Sequence, residues 1–353
     1  MTAATPDAAT AGPRIAVIGG GRNCEHDVSL ASAAGVAAGL EEGGCEVVRL
    51  TIDRDGDWLL TDADAATPTG ARPAALRLGL SEAVRLMQGC DAVFPVLHGP
   101  RGEDGTLAAL CELIGAPYVG SGVSAGAIAM DKWATKLVAA ELGIATAAGV
   151  LLTPATAGSY RWTRPVVVKP VASGSSHGVA LVERPEQLAT ALAAAFALDS
   201  RVLVEELVVG REIDLAVFGY RDGSRVVGPA LEIVGEGLFD LETKYDGSAD
   251  FRLPARLEDG ELARLEDAAV AMYDALGCAG VARIDFFLTG DGPVLNEVNT
   301  MPGFTAQSQV PKMFAAVGVP YAELLRAMVG EVVSPGAVPY AAYLWENTRP
   351  VGS

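Results

Sequence analysis

The sequence predicts a three-domain chain of mixed α/β and α+β class. Three observations predict it. Apolar runs alternate with helical stretches over the first ~125 residues. From about Gly126 a strand–loop–strand–helix–strand order replaces that alternation. An acid-rich hairpin and two closing helices then end the periodic part of the chain. The expected boundaries are 13–125, 126–208 and 209–334, with a disordered tail at 1–12 and a flexible one at 335–353.

Residues 14–18 form a short apolar run ending in Gly19-Gly20-Gly21, and an Ala/Leu-rich helical stretch follows at 29–40. Residues 46–51 and 93–97 read as further strands and 106–114 as a helix. This order implies a parallel sheet with ligand loops at its strand ends. Next comes a helix carrying Lys132 and Lys136. Strands at 165–169, 179–182 and 201–206 with a helix at 185–198 suggest a compact antiparallel unit. Long strands are expected at 213–219 and 226–233, a polar loop at 235–250 and a helix at 262–276. A hairpin at 281–299 and helices at 310–316 and 321–329 close the fold.

Composition excludes several classes of function. Half of the residues are apolar, so a sizeable core is expected, and the net charge is -18. A sequence-independent nucleic-acid binder carries the opposite sign. No run approaches ~18 uninterrupted apolar residues, so no membrane span is expected. The five cysteines are widely spaced without a C-x-x-C and read as reduced thiols, which places the chain in the cytoplasm. The Ala/Thr/Pro-rich start lacks a basic segment followed by an apolar one, so it is not read as a signal peptide. Only five lysines occur (Lys132, Lys136, Lys169, Lys244 and Lys312), so an anion site must be built from a few placed cations and backbone N–H groups.

The hairpin from Arg283 to Asn299 is the strongest local signal. Glu297 and Asn299 share a strand face because side chains alternate with period two. A three-residue turn, Gly290-Asp291-Gly292, would set Asp285 opposite Glu297; a two-residue turn would put them on opposite faces. Two carboxylates and an amide oxygen on one face suit magnesium shared with phosphates. The same pattern also suits a solvated sheet face paired by Arg283.

Other loops carry weaker signals. Gly174-Ser175-Ser176-His177-Gly178 follows the strand that ends at Lys169. Its small residues let backbone N–H groups approach phosphate oxygens, although an ordinary flexible turn reads the same way. No Walker A sequence exists. Gly19-Gly20-Gly21 lacks the third glycine of a dinucleotide fingerprint, since Cys24 stands there. Glu25, beside a helix start, suits either a substrate ammonium or helix capping. Glu205, Glu206 and Glu212 suit an adenine and ribose hinge, or a solvated strand end. His26, His98 and His177 all lie in Gly/Ser-rich loops, and no metal triad is drawn from them.

Together these pieces resemble the D-alanine–D-alanine ligases. The matching stretches occur in family order over about residues 14–332, nearly the whole chain. The most specific are Leu97-His98-Gly99-Pro100 with Gly102-Glu103-Asp104-Gly105, and the run from Asn296 through Asn299, Pro302 and Gly303 to Thr305. The resemblance implies a three-domain ATP-grasp fold with a Rossmann-like N-terminal domain. It implies ATP-dependent dipeptide formation through an acyl phosphate, serving peptidoglycan precursor synthesis.

The implied roles are residue by residue. Lys132, Lys169 and Lys244 contact ATP phosphates beside Ser176. Glu205, Leu207 and Val208 line the adenine and Glu212 the ribose. Asp285, Glu297 and Asn299 hold two magnesium ions, with manganese as a substitute. Glu25 binds the first D-amino acid's ammonium, and His98 lies by its carboxylate. Ser175 and Tyr245 join Glu25 in a triad that closes the 235–250 loop. Arg283 and the Gly303 N–H stabilise the oxyanion, and Ser308 binds the second substrate's carboxylate. A homodimer is also implied, with D-amino acids and ATP as the only partners.

Gln309 departs from the apolar residue usual there and would suit a polar second substrate such as D-serine. His177, Arg101 and Cys24 depart as well, while Tyr245 favours an amino-acid nucleophile over D-lactate. The rival readings are a nicotinamide-dependent oxidoreductase using the first Gly-rich loop and a non-catalytic nucleotide binder. The missing third glycine and the intact acidic hairpin argue against them.

Overall fold

Residues 12–61, 75–234 and 250–333 are described by the computed structural model of the chain. Strand β1 (Arg14–Gly20) is almost wholly buried inside the first sheet. Helix α1 (His26–Glu42) crosses over it to β2 (Glu46–Ile52), then come β3 (Trp58–Thr61), β4 (Ala75–Leu78), α2 (Leu80–Gln88), β5 (Ala92–Pro95) and α3 (Thr106–Ile114). The strand order is β4-β3-β2-β1-β5. Both neighbours of β1 are parallel to it, as expected. The outer hairpin β3–β4 is antiparallel, which corrects the all-parallel expectation. Because the chain leaves β1 in one direction for β2 and later returns to β5 on the other side, the loops after β1 and β5 diverge. That divergence opens a crevice at the carboxyl ends of the strands.

Helices α4 (Val123–Met130) and α5 (Lys132–Glu141) follow, separated by Asp131, whose Oδ1 caps α5 by accepting from Ala134 N–H over 3.0 Å. Then come β6 (Ala145–Thr146), β7 (Gly149–Leu152), β8 (Val166–Pro170), β9 (Ala180–Val182), α6 (Pro185–Phe196) and β10 (Val202–Glu206). Strands β7, β10, β8 and β9 make the expected antiparallel sheet around Val168, Val182, Ala195 and Val202. Residues 123–146 behave differently from the sequence reading. Ala125, Ala129 and Ala139 pack into the core of the large C-terminal sheet, and β6 pairs with a strand of that sheet.

The large sheet contains β11 (Arg211–Gly219), β12 (Arg225–Val227), β13 (Leu231–Val234), β14 (Asp250–Arg252), β15 (Gly280–Thr289) and β16 (Gly292–Asn299), ordered β14-β13-β11-β15-β16-β6 with β12 on β11. The single long strand expected at 226–233 is split at Gly228-Pro229, because proline has no N–H to give a ladder. One face, with Ile213, Leu215, Ile284 and Phe286, packs under helix α7 (Asp259–Leu276). On the other face Phe218 and Val281 join the core shared with helices α8 (Gln309–Ala316) and α9 (Tyr321–Val333). Helix α9 returns to α1, where a Cβ on Gly39 would lie 2.6 Å from Leu325 Cδ1.

The β15–β16 hairpin reaches the expected pairing by an unexpected route. Thr289 pairs with Gly292, so the turn has two residues rather than three, and Phe286 pairs with Leu295. A register shift between Asp285 and Phe286 then brings Asp285 opposite Glu297. The extra residue is Asn296, a β-bulge that turns both Asn296 and Glu297 toward the cavities described below.

Phe304 is fully buried between Phe94 and Tyr321, with ring centroids 6.4 Å from each. It ties the segment after β16 to the first sheet. Phe304→Ala should cost about 3–5 kcal/mol in urea unfolding; a loss below about 1 kcal/mol would contradict this packing role.

Candidate active site

Directly paired residues on neighbouring strands share a sheet face, and Asp214 pairs with Asp285, which pairs with Glu297. Three carboxylates therefore stand in one row across β11, β15 and β16, with Ala216, Arg283 and Asn299 in the next row. Like charges placed opposite one another repel, so the row depends on nearby cations. Arg283 Nε and Nη2 each donate to Asp285 over 2.7 Å, and Nε lies 3.6 Å from Asp214 Oδ2. Lys132 Nζ lies 3.3 Å from Glu297 Oε2. Burial disfavours the Arg283 charge, but Asp285, Asp214 and Glu297 outweigh burial and hold it well above the usual guanidinium range. Asn299 Nδ2 donates to Asp285 Oδ2 over 3.0 Å.

Gln309, the first residue of α8, completes this network. Its Oε1 accepts from Arg283 Nη1 over 2.7 Å, and its Nε2 donates to Asp214 Oδ2 over 2.9 Å. Both ends of the amide expected to serve a polar substrate thus have a partner inside the protein.

Two cavities adjoin the row. One, ≈ 460 Å³, is lined by Glu25, His98, Ser175, Arg283, Gly303 and Ser308 among others. The other, ≈ 540 Å³, is lined by Lys132, Lys169, Ser176, Leu207 and Val208 among others. Glu212 and Glu297 face both. Every site residue expected from the sequence lines one or other cavity, apart from Lys244 and Tyr245. Those two, and most of the 235–250 loop, lie outside the described residues.

Glu25 sits where three loops meet. It occupies the N-cap position of α1 but makes no capping hydrogen bond, which removes the capping alternative. Ser175 Oγ donates to its Oε1. Its buried Oε2 has no hydrogen-bond partner among the described residues. A Cβ on Gly99 or Gly174 would lie 2.3 or 2.4 Å from that oxygen, so a side chain at either position would displace the Glu25 carboxylate, and Gly99 also holds a left-handed φ of 69°. Burial raises the Glu25 carboxyl above its ordinary range, offset in part by the Ser175 hydroxyl. Ser175 and Ser176 adopt left-handed backbone angles (φ 48° and 56°), uncommon for residues with side chains. Asn23 holds the first loop to the second by donating to His98 and Pro100 carbonyls over 2.8 and 2.9 Å.

The second loop grips the backbone of Met301. His98 Nδ1 is 2.8 Å from the Met301 carbonyl, which can only accept, so Nδ1 carries the proton. Its Nε2 then accepts from Ser32 Oγ over 3.0 Å. Glu103 accepts from the Met301 N–H over 3.2 Å and from Gly99 N–H over 2.8 Å. Burial pushes Glu103 up to about 8, with Glu25 adding to the effect, and pushes His98 down to about 4. His98 lines the cavity with both ring nitrogens engaged inside the protein, so it offers no free N–H there.

In the second cavity Glu205 is a bridge and not a solvated strand end. Its two oxygens lie 2.6 Å from Lys136 Nζ and 2.6 Å from Lys169 Nζ. Burial would raise its carboxyl, but Lys169 and Lys136 hold it below the usual range. Lys132 Nζ also donates to the Ser173 carbonyl over 2.7 Å. At the start of α8, Ser308 Oγ accepts from Thr305 N–H over 3.0 Å, and a Cβ on Gly303 would meet that Oγ at 3.3 Å. Sequence reasoning missed Lys136, Asp214 and the clamping role of Glu103. Two of them left a signal: Lys136 is one helical turn after Lys132, and Asp214 shares a strand face with Glu212.

Comparisons with known proteins agree along the chain. The D-ala D-ala ligase N-terminus family matches residues 14–121, and the D-ala D-ala ligase C-terminus family matches 154–330. The D-alanine–D-alanine ligase of Mycolicibacterium smegmatis is 40% identical over 359 residues, covering 92% of this chain and 96% of that protein. The crystal structure of the VanG D-Ala:D-Ser ligase from Enterococcus faecalis superposes with a TM-score of 0.79 at 33% identity, over 91% of this chain and 99% of that one. The D-alanine-D-alanine ligase from Coxiella burnetii gives a TM-score of 0.75 at 29% identity, over 92% and 94%.

The buried neutral state of His98 makes stability depend on pH. The unfolded chain protonates it near pH 6.5 and the fold only near pH 4. Its contribution is complete above about pH 6.5 and is lost as pH falls toward 4, about 3 kcal/mol in all. Glu103 acts in the opposite sense, since its raised value favours the fold at low pH and that advantage is lost as pH rises toward 8. Unfolding free energy measured from pH 4 to 8 should therefore fall more steeply on the acid side in the unaltered protein than in His98→Gln. Parallel curves would contradict the assignment.

Proposed function

Because the chain belongs to the D-alanine–D-alanine ligase family, whose members are ATP-dependent ligases, we propose that it joins two D-alanines into a dipeptide for peptidoglycan precursors. The observation that carries this reading is the buried Oε2 of Glu25, which has no hydrogen-bond partner among the described residues and belongs to the same cavity as Arg283 and Glu297. An anionic oxygen so enclosed calls for a cation. The ammonium of a first D-alanine supplies it and brings that substrate's carboxylate to the row's cavity.

The reaction follows from the remaining groups. A carboxylate is a poor electrophile, so ATP in the second cavity first converts it to an acyl phosphate. Lys132 and Lys169, with the serine-rich loop, hold the phosphates, and the hinge of Glu205, Leu207 and Val208 holds the base, with Glu212 on the ribose. Ser308 orients the second D-alanine by its carboxylate. Its amine attacks the acyl carbon, and Arg283 with the Gly303 N–H meets the developing oxyanion.

The donor set suits a hard divalent cation. Asp285, Glu297 and Asn299 offer oxygens on one face, and the Asn299 amide leaves its Oδ1 for a ligand. Among the described residues no three His, Cys, Asp or Glu could hold a metal by themselves. These residues would therefore supply part of a coordination shell, leaving room for the phosphate oxygens that magnesium prefers. We assign two magnesium ions here, replaceable by manganese; when bound, they offset charge on the transferring phosphoryl group.

A D-serine-using ligase is the second reading, favoured by the likeness to the D-Ala:D-Ser ligase. The engaged amide of Gln309 supports D-alanine instead. Among the described residues no single helix is long and apolar enough to cross a membrane. The family likeness, with all five cysteines free, supports a cytoplasmic homodimer.

Incubation with ATP, magnesium and D-alanine, alone or with D-serine, should yield mainly D-alanyl-D-alanine, ADP and phosphate by mass spectrometry. Faster coupling to D-serine would overturn the substrate assignment. Glu297→Gln should lower turnover by roughly 100-fold or more while the melting temperature stays close to that of the unaltered protein. Retained turnover would remove Glu297 from the metal set.

A further inference from the structure

We propose that Gln309 and Asp214 act as a pair of positioning residues that hold the Arg283 guanidinium in its working orientation. The inference rests on the ligase reading above, in which Arg283 meets the oxyanion. Arg283 uses three of its five N–H donors inside the protein, two on Asp285 and one on Gln309, which leaves two for a ligand. The Asp285 contact fixes one edge of the guanidinium. The Gln309 contact fixes the Nη1 end from a separate element, helix α8.

The orientation of the amide follows from chemistry. Arginine can only donate, so the Gln309 oxygen must face it, which leaves the amide nitrogen to donate to the Asp214 carboxylate. Asp214 is 3% exposed and stands directly opposite Asp285, so two like carboxylates compete for one guanidinium. Arg283 Nε is 2.7 Å from Asp285 Oδ1 but 3.6 Å from Asp214 Oδ2. The amide settles that competition by donating to Asp214 and accepting from Arg283, which keeps the guanidinium on the Asp285 side. An apolar side chain can do neither. Gln309 also follows Ser308 in sequence, so the second-substrate subsite and the oxyanion cation are set by adjacent residues at one helix start.

Steady-state kinetics and thermal melts of the unaltered protein, Gln309→Leu, Gln309→Glu and Gln309→Glu with Asp214→Asn test the proposal. Gln309→Leu should lower kcat about 10- to 100-fold while KM for ATP stays unchanged. Gln309→Glu keeps the acceptor for Arg283 but sets a carboxylate against Asp214, so kcat should fall too. Adding Asp214→Asn restores a donor–acceptor pair with reversed polarity and should recover kcat about tenfold over Gln309→Glu alone, a coupling that a merely structural role would not produce. Wild-type kcat in Gln309→Leu, a change confined to KM for the amino acid, or no recovery in the double variant overturns the proposal alone. If Gln309→Leu does not fold, the comparison of the two Glu variants decides the matter by itself. An unaltered protein that forms no dipeptide overturns the ligase reading and the proposal together.

Discussion

The structure turns on a row of like charges. Asp214, Asp285 and Glu297 face one another across three adjacent strands, where opposed side chains stand about 5 Å apart. Left alone, such a row would push the strands apart. It is held from below by an apolar face packed on α7 and from the side by Arg283, Lys132 and the Gln309 amide. On the ligase reading, the negative charge gathered in this row is what would draw cations and, with them, the terminal phosphates of a nucleotide.

The rest of the fold delivers groups to that row. The first sheet brings two loops from its switch point, and the second of them clamps Met301 by both its N–H and its carbonyl. This side-chain grip imitates a strand pairing and fixes the segment that follows the β15–β16 hairpin. Glu25 then stands at the junction of three loops, with one oxygen held by Ser175 and the other buried without a hydrogen-bond partner among the described residues. The antiparallel unit contributes Lys169, balanced against Lys136 through Glu205. Each buried charge has a partner of opposite sign or faces a cavity, as the cost of burying unpaired charge requires.

Much of this was legible in sequence because local rules govern it. The period-two alternation of Glu297 and Asn299, the glycine runs at strand ends and the apolar runs of the first sheet all carry their meaning within a few residues. What was not legible depends on pairing between distant segments. The bulge at Asn296 replaced the expected three-residue turn, because register is set by the whole sheet and not by turn length alone. The partners of Gln309 and His98 lie on other elements, so an amide and an imidazole that looked available for substrate are engaged by Asp214, Arg283, Ser32 and Met301. Residues 126–146 looked continuous with the antiparallel unit but pack on the large sheet, since small alanines give no local sign of which core they fill.

On the ligase reading the carboxylate row gathers divalent cations only when a nucleotide brings the remaining oxygens. Electron paramagnetic resonance of manganese, titrated into the protein with and without ATP, reads this directly. Tight binding that requires ATP, and that Glu297→Gln loses, is the predicted result. Equal manganese binding without ATP, or undiminished binding in Glu297→Gln, would contradict it.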